Sequence, residues 1–448
     1  MRSSRHYVAT VALVAAFGGL LFGYDTGVMS GALLFLAPDF GLSPSQEGLV
    51  TSMLLAGAAV GALGGGAVAE AVGRRMALLG GGVVFVVGSL WCAAAGSVGS
   101  MAAARTLLGL AVGGVSIIAP MYIAEMVPPR VRGRLVSLNT LMIVVGQLSA
   151  YLVNSSLAHT ENWRLMLGLA AVPGLVLALG MVFLPDTPAW YATRGRMDRA
   201  AAVAARLGLE VPQPAVKQRR SGSEWAQLRA HPGLAAATGV AVGLGVIQQV
   251  TGVNSVIYFA PTMMNKVGLP AQDSVYTSIV IGVVSVAACA VGLRIVDRVG
   301  RRRLLIVGLA GNVVSLLALA AGYHAAQNSR AAALAALGAM ALFMAFQQAA
   351  VSLATWLLIS ELVPGAVRGL GMGLAGLALW VVNWAVAQFF LPVVQAVGGP
   401  ATFIGFAGAG VVAVIFVLRL VPETTGRTLD DVTREFMQRY EPQDEPRN

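Results

Sequence analysis

Two residues of opposite charge, Asp25 and Arg105, stand inside long apolar stretches of the sequence. A charged side chain in the hydrocarbon of a membrane costs at least about 2.5 kcal/mol, so it is retained there with a partner or for a purpose. Pairing with each other is the simplest explanation for both charges. A buried carboxylate whose cationic partner loosens can take up a proton and later release it. The two residues therefore have the chemistry of a proton carrier, and a purely structural ion pair is the alternative.

The positions of the two charges along their stretches agree with pairing. At about 1.5 Å per residue, Asp25 lies about 25 Å from the inner start of the first stretch, and Arg105 lies about 30 Å from Glu125 at the inner end of the fourth. The fourth stretch runs in the opposite direction to the first. Asp25 and Arg105 can therefore share a depth in the membrane.

A second group of polar residues lies in the stretch from 236 to 262 and contains Gln248, Gln249, Asn254 and Tyr258. Amides donate and accept hydrogen bonds at once, and an aromatic ring can cover C–H groups, so this set suits a polyhydroxylated ligand. Their offsets do not place the four side chains on one helical stripe. Gly252 predicts a distorted or broken helix that lets them converge. Any one amide could instead hydrogen-bond a neighbouring helix.

The elements that position these residues are predicted to be membrane-spanning helices. Hydrophobic residues make up 57% of the 448 residues and charged residues 11%, which leaves too few polar side chains to cover a soluble protein of this size. Apolar runs of about 20 residues predict an all-α membrane protein. The predicted spans are 8–37, 46–69, 76–95, 100–122, 136–157, 164–184, 236–262, 274–296, 303–323, 331–358, 369–391 and 400–421.

The net charge of +10 does not predict nucleic-acid binding, because the basic residues lie in short clusters between the spans. Nearly all of these clusters fall on one side of the predicted membrane, and only Lys266 and Arg330 fall in loops on the other. By the positive-inside rule both termini are then cytoplasmic. The four His are scattered and no G-x-x-x-x-G-K sequence occurs, so we expect no metal site, no cofactor and no use of ATP.

Two halves with repeated loop motifs organise the chain. The predicted halves are 1–184 and 236–421, separated by a cytoplasmic linker at 185–235 with amphipathic helices and followed by a tail at 422–448. EMVPPRVRG begins at Glu125 and ELVPGAVRG at Glu361, while Gly-Arg-Arg begins at Gly73 and at Gly300. Such words at matching positions predict two six-helix repeats that rock around a central site, the architecture of many transporters. The Gly-Arg-Arg loops alone could merely fix topology.

Longer motifs resemble the sugar porter family of the major facilitator superfamily over nearly the whole chain. They are LFGYDTGVMSGAL from Leu21, PMYIAEMVPPRVRGRL from Pro120, GQLSAYLVN from Gly146, QQVTGVNSVIYFAP from Gln248, WLLISELVPGAVRG from Trp356 and PETTGRTL from Pro422. The resemblance, which within the family is to bacterial glucose/proton symporters, implies the major facilitator fold. It also implies a sugar cavity that includes Phe22, Gln147, Trp356, Trp380 and Asn383. Trp356 could instead anchor its span at the membrane interface.

The same resemblance implies roles for charged residues. Asp25 matches the acid of proton-coupled members, where facilitative members often have Asn, so Asp25 and Arg105 are expected to couple transport to protons. An inner gate of loop ion pairs is expected from Glu125, Arg132, Asp297, Arg298, Arg301, Glu361 and Arg368. The chain departs from the family pattern at Glu70 and Ala71, at PDTPAW from Pro185, and at Ser285 and Leu379. The departures at Ser285 and Leu379 remove amides and leave the identity of the sugar open.

Together these features predict a proton-coupled monosaccharide symporter, with glucose as the expected sugar, that works by alternating access in a bacterial cytoplasmic membrane. The expected partners are the sugar, the proton and the lipid bilayer, without nucleic acid or an obligate protein partner, and no enzymatic activity is expected. A facilitative uniporter is the first alternative, against which Asp25 argues. A non-transporting sugar sensor is the second, and the short sequence after Pro422 argues against it.

Overall fold

A computed structural model describes residues 2–211, 223–326 and 330–440. Within these ranges the regular structure is helical, and twelve segments are long and apolar enough to cross a membrane. The all-α class and the twelve predicted spans are therefore confirmed. The middle of the predicted linker and the end of the predicted tail lie outside the described ranges.

The α-helices follow one another along the chain, and α1–α7 and α11–α18 form the spans whereas α8–α10 and α19 lie between or after them. Their bounds are α1 Arg2–Phe40, α2 Pro44–Val72, α3 Arg74–Ala94, α4 Val98–Met126, α5 Pro129–Leu157, α6 Trp163–Leu169, α7 Ala171–Phe183, α8 Pro188–Thr193, α9 Met197–Leu207, α10 Glu224–Ala230, α11 Pro232–Val250, α12 Val253–Lys266, α13 Ala271–Val299, α14 Arg301–Ala326, α15 Arg330–Phe346, α16 Ser352–Leu362, α17 Arg368–Val397, α18 Gly399–Leu420 and α19 Leu429–Tyr440.

The seventh span is broken, as the sequence predicts. Helix α11 ends at Val250 and α12 begins at Val253, and Gly252 between them has a φ of +84°. Glycine adopts this left-handed conformation without the steric cost that a Cβ would impose. The break changes the direction of the backbone between Gln249 and Asn254, so that their side chains need not follow one helical stripe.

The chain forms two compact units, and each collects segments that are distant in sequence. Unit 1 contains residues 1–218, 257–286 and 387–392, and unit 2 contains residues 219–256, 287–386 and 393–448. The core of unit 2 includes Leu244, Leu309, Leu358, Val417 and Phe436, so the tail helix α19 packs on the ends of the spans. The predicted division at 1–184 and 236–421 remains a prediction about the sequence repeat.

Glycines bring α1 and α5 into close contact inside unit 1. Gly19, Gly23, Gly27 and Gly31 recur at every fourth residue of α1 and face α5, and a Cβ at Gly27 would lie 2.7 Å from the carbonyl oxygen of Gln147. Small residues at this spacing let helix backbones approach closely in a membrane. This contact fixes the stretch of α1 that carries Asp25.

The described part of the predicted linker, 185–235, contains three short helices, α8, α9 and α10. Helix α8 ends at Thr193 and α9 begins at Met197, because Gly195 has a φ of +71° and turns the chain. Helix α9 is amphipathic as predicted, with Ala200, Val203 and Leu207 buried. Residues 212–222 of the linker lie outside the described residues.

Candidate functional site

Asp25 on α1 and Arg105 on α4 form an ion pair that is buried within unit 1. Nη1 of Arg105 lies 2.6 Å from Oδ1 and 2.8 Å from Oδ2 of Asp25. The exposed fractions of the two side chains are 0% for Arg105 and 1% for Asp25. Nε of Arg105 also donates to the carbonyl oxygen of Val50 on α2, at 3.2 Å. The predicted pairing of the two charges is confirmed.

The geometry of this pair leaves part of the guanidinium unused. One nitrogen serves both carboxylate oxygens, where a fork of two nitrogens would be the stronger arrangement, and Nη2 is buried without a hydrogen-bond partner among the described residues. Removal of one charge from a buried pair leaves the other uncompensated, at a cost of about 3–5 kcal/mol. Protonation of Asp25 has the same electrostatic consequence, so it must be linked to a rearrangement around Arg105.

Tyr258 on α12 lies near this ion pair in unit 1, within electrostatic range of both Asp25 and Arg105. Its side chain is fully buried, and its Oη has no hydrogen-bond partner among the described residues. The ring packs edge-on against Phe259, with 6.3 Å between the ring centroids. A buried hydroxyl without a partner is costly, so Tyr258 is suited to receive a polar ligand.

Three predicted sugar-binding amides meet within unit 2. Nδ2 of Asn254 on α12 donates to Oε1 of Gln249 on α11, at 2.8 Å, and to Oδ1 of Asn383 on α17, at 2.7 Å. All three side chains are buried. Gln248 is buried beside this break in the span, and its Oε1 has no partner among the described residues. The cluster can offer donors and acceptors to several hydroxyl groups of one ligand.

The remaining predicted sugar residues lie in different environments. Phe22 on α1 is half-buried and Gln147 on α5 is buried, both in unit 1. In unit 2, Trp380 on α17 is buried, whereas Trp356 on α16 is 42% exposed and lies five residues before Glu361. The exposure of Trp356 fits the alternative of an interfacial anchor as well as it fits a role at the ligand.

A network of loop residues joins the ends of α3 and α4 in unit 1. Glu125 lies 3.1 Å from Nη2 of Arg74 and accepts a hydrogen bond from Oγ1 of Thr187. Asp186 accepts from the backbone N–H groups of Arg74, at 3.0 Å, and Arg75, at 3.3 Å. A carboxylate at this position satisfies free N–H groups at the start of α3 and opposes the helix dipole.

Unit 2 contains the same arrangement at the repeated sequence motifs that begin at Gly300 and Glu361. Glu361 lies 3.4 Å from Nε of Arg301 and accepts a hydrogen bond from Oγ1 of Thr424. Glu423 accepts from the backbone N–H of Arg301 at 3.0 Å, and Nη2 of Arg301 lies 2.9 Å from Asp297. In each unit, one glutamate contacts an arginine and accepts from a threonine, and a second carboxylate caps the start of the helix that carries the arginine.

The two capping carboxylates differ in their ionisation. Burial raises the pKa of Asp186, although backbone N–H groups of Thr187 and Arg74 act in the opposite direction. Burial alone would also raise the pKa of Glu423, but hydrogen bonds from Thr425 and from backbone N–H groups outweigh it, so the pKa of Glu423 is lowered. Glu423 is therefore the more firmly ionised cap.

Four of the predicted gate residues take part in these networks, namely Glu125, Asp297, Arg301 and Glu361. The other three do not. Arg132 and Arg298 are exposed and form no ion pair within the described part of the chain, and Arg368 donates to the carbonyl oxygen of Ser360 at 3.4 Å. Arg194 of the linker donates to the carbonyl oxygens of Glu70 and Ala71, at 3.0 and 2.6 Å, and so ties the linker to the end of α2.

Several members of these networks are not among the predicted gate residues. They are Arg74, Asp186 and Thr187 in unit 1, and Glu423 and Thr424 in unit 2. A signal was present, because an acid followed by threonine comes soon after the last span of each predicted half, as Pro-Asp-Thr from Pro185 and Pro-Glu-Thr from Pro422. In the described ranges no group of three His, Cys, Asp or Glu side chains is placed to hold a metal ion.

The twelve helical spans of the described ranges, the buried carboxylate–guanidinium pair and the buried amide cluster are features typical of a polytopic membrane transporter. The sequence model described as "Sugar (and other) transporter" matches residues 11–436. The chain belongs to the sugar porter family of the major facilitator superfamily, and it is a transporter, not an enzyme.

Individual relatives differ in what they carry. The major myo-inositol transporter IolT of Bacillus subtilis is 39% identical over 446 residues, which cover 96% of this chain and 94% of IolT. The glucose transporter GlcP of Staphylococcus epidermidis is 35% identical, with 95% of this chain and 97% of GlcP covered.

The fold is similar to that of the xylose transporter XylE from E. coli. An inward open structure of XylE has a TM-score of 0.82 and 27% identity and covers 96% of this chain and 100% of XylE. A further structure, with a TM-score of 0.78, describes XylE as a proton:xylose symporter bound to 6-bromo-6-deoxy-D-glucose. Both cover nearly the whole length of the chain.

Proposed function

We propose that this protein is a proton-coupled monosaccharide symporter and that Asp25 carries the proton. The observation that carries the proposal is the buried contact of both Asp25 oxygens with the single Nη1 of Arg105. A facilitator has no need of an acid in this position, whereas a symporter needs one group that binds and releases a proton during the cycle. The relationship to XylE, described as a proton:xylose symporter, supports the same assignment.

The sugar is proposed to bind the amides Gln248, Gln249, Asn254 and Asn383, with Tyr258, Phe22, Gln147, Trp356 and Trp380 as further contacts. The cluster around Asn254 supplies fixed donors and acceptors, and Tyr258 Oη and Gln248 Oε1 are buried atoms that a ligand hydroxyl could satisfy. Glucose is the first candidate because GlcP is a glucose transporter. Myo-inositol, the substrate named for IolT, has the same ring of hydroxyls and is the direct competitor.

The proposed cycle links the two groups by alternating access. Asp25 binds a proton from outside, its contact with Arg105 weakens, and the outward state then binds sugar and closes. When the site faces inward, Arg105 again favours the carboxylate and the proton leaves. Helix α12 carries Asn254 and, one turn later, Tyr258.

The proposed gates are the two loop networks, with Glu125 and Arg74 in one unit and Glu361 and Arg301 in the other. Pairs of this kind are each worth about 1 kcal/mol or less, but several of them can bias two states of similar energy. Arg132, Arg298 and Arg368 are proposed to form gate contacts in a conformation other than the one described, since they are unpaired with acids in the described chain.

We place the protein in a bacterial cytoplasmic membrane with both termini inside, and we propose no cofactor beyond the proton.

The proposal is tested with purified protein in liposomes and radiolabelled glucose, xylose and myo-inositol. Uptake of glucose past the external concentration when the outside is acidic, and equilibration without a pH gradient, is the expected result. Equilibration under both conditions would identify the facilitative alternative. Binding without any uptake would identify a sensor. Uptake of myo-inositol alone would identify myo-inositol as the substrate in place of glucose and leave the assignment of Asp25 to proton coupling intact.

A further inference from the structure

A cavity of about 460 Å³ lies in unit 2 where α18 ends and the tail begins, away from the buried amides. Four arginines line it, each from a different element: Arg302 from the start of α14, Arg419 from the last turn of α18, Arg427 from the following loop and Arg439 from α19. Two acids, Glu423 and Glu435, also line it. The lining therefore carries a formal excess of two positive charges.

The acids are already occupied by other groups. Glu435 lies 2.6 Å from Nη1 of Arg427, and Glu423 accepts the backbone N–H of Arg301 at 3.0 Å. Arg419 and Arg439 are exposed and make no ion pair with any residue that the structure describes. The two excess charges can thus be assigned to Arg419 and Arg439.

Arg302 adds a second, independent observation that points to a ligand. Its Nη2 donates to the carbonyl oxygen of Leu418 at 2.7 Å, which holds the guanidinium at the cavity wall. Its Nε is buried and has no hydrogen-bond partner among the described residues. A buried charged donor without a partner is costly, and an oxyanion in the cavity would satisfy it.

The level of the cavity along the membrane normal indicates which oxyanions can reach it. Its walls include the residues at which the spans Arg301–Tyr323 and Gly399–Leu420 meet the end of the apolar region. Polar headgroups of lipids lie at this level of a membrane. Guanidinium groups form planar, charge-assisted hydrogen bonds to phosphate oxygens and match them better than a point charge does.

We propose that this cavity binds a phosphate group, held by Arg302, Arg419 and Arg439. An anionic lipid headgroup and a free phosphate share this chemistry. The proposal does not depend on which sugar the protein carries or on the role of Asp25. Occupation of the cavity would tie the tail helix α19 to the ends of α14 and α18.

The test measures binding of phosphatidylglycerol and of inorganic phosphate to the full-length protein. Purified protein in phosphatidylcholine nanodiscs is titrated with phosphatidylglycerol by native mass spectrometry and, separately, with inorganic phosphate at constant ionic strength set by sodium chloride. The variant R419Q/R439Q is expected to bind the occupying species at least about fivefold more weakly than the parent protein. Both side chains are exposed, so this variant should fold, which its elution in gel filtration and its helical circular dichroism check.

The matched control is R130Q/R134Q, which removes two exposed arginines from the start of α5, outside the cavity. It should bind as the parent protein does. Selective loss of phosphatidylglycerol binding in R419Q/R439Q identifies a lipid headgroup, and selective loss of phosphate binding identifies a free anion. Equal binding by the parent protein and R419Q/R439Q in both titrations, or an equal loss in the control, would overturn the proposal.

Discussion

At the scale of single residues, the ion pair of Asp25 and Arg105 combines complete burial with an incomplete hydrogen-bond arrangement. Nη1 of Arg105 contacts both oxygens of Asp25, Nε contacts Val50, and Nη2 contacts no described acceptor. A pair that served only to join α1 and α4 would gain from a fork in which both terminal nitrogens take part. The observed geometry leaves Arg105 a nitrogen with which to find another acceptor when Asp25 is neutral.

Asp25→Asn should abolish uphill accumulation and leave exchange of sugar across the membrane. The amide keeps the size of the side chain and can still accept from Arg105, but it cannot release a proton within the cycle. Counterflow of labelled sugar in liposomes without a pH gradient measures exchange, and uptake with an acidic exterior measures accumulation. Accumulation at the parent level would show that Asp25 does not carry the coupling proton.

Loss of the charge at Asp25 also affects stability, whether or not the pair couples transport to protons. Asp25→Asn should lower the free energy of unfolding by about 3–5 kcal/mol because it leaves Arg105 buried without a counter-charge. The double variant D25N/R105Q removes both charges and should recover a large part of that loss. Unfolding midpoints in detergent measure the two variants. A double variant that regained proton-driven accumulation would contradict the coupling role, whatever its stability.

The amide cluster can be tested apart from the ion pair. Asn254→Ala removes the donor that joins Gln249 to Asn383 and should raise the half-saturating sugar concentration by about tenfold or more, since a buried polar group left unpaired costs about 1–3 kcal/mol. Proton coupling should persist in this variant, because Asp25 and Arg105 are unchanged. Asn265→Ala, an exposed position near the end of the same helix, is the matched control and should transport like the parent protein.

At the scale of helices, close packing places the charged residue on α1. A Cβ at Gly23 would collide with the carbonyl group of Ile143 on α5, whereas a Cβ at Gly64 on α2 would meet nothing within 4 Å. Gly23→Ala should therefore lower the free energy of unfolding by about 1–3 kcal/mol. Gly64→Ala should leave it equal or raise it slightly, since alanine favours the helix. Equal thermal stability of the two variants would show that α1 and α5 can separate without cost.

The loop networks act at the same scale. Glu361→Gln removes one of the two carboxylate partners of Arg301 and should lower turnover about fivefold, since a partly exposed pair contributes up to about 1 kcal/mol. The affinity for sugar on the outer side should stay nearly unchanged because the amides are untouched. Transport rates and outer binding constants check this separation, and Glu70→Gln, an exposed acid without an ion pair in the described chain, is the control. Equal losses of turnover and affinity would argue against a gate.

The helices themselves were largely predictable from the sequence, because a span needs about 20 apolar residues and little else. The break at Gly252 was also predictable, since only glycine readily accepts the left-handed conformation found there. The break between α8 and α9 was harder to predict, because it depends on the φ angle of the single residue Gly195 within an otherwise amphipathic pattern. Asp186 and Glu423 were missed as caps because their bonds go to backbone N–H groups more than 100 residues away.

Across the whole molecule, the repeated sequence motifs make equivalent contacts in the two units. Glu125 with Thr187 in unit 1, and Glu361 with Thr424 in unit 2, make the same hydrogen bond at matching positions of the duplicated sequence. The repeat therefore preserves a contact as well as a pattern of spans. The sugar could not be predicted in the same way, because relatives with similar scaffolds are named for myo-inositol and for glucose and a few pocket contacts separate such ligands.

The most direct test of proton coupling follows protons and sugar in the same vesicles. Liposomes that contain the protein and a trapped pH indicator, with no imposed pH gradient, receive glucose on the outside. Symport predicts that the interior acidifies as glucose enters, and that a variant with Asp25→Asn takes up glucose without this change. Glucose entry by the parent protein with a constant interior pH would contradict the account.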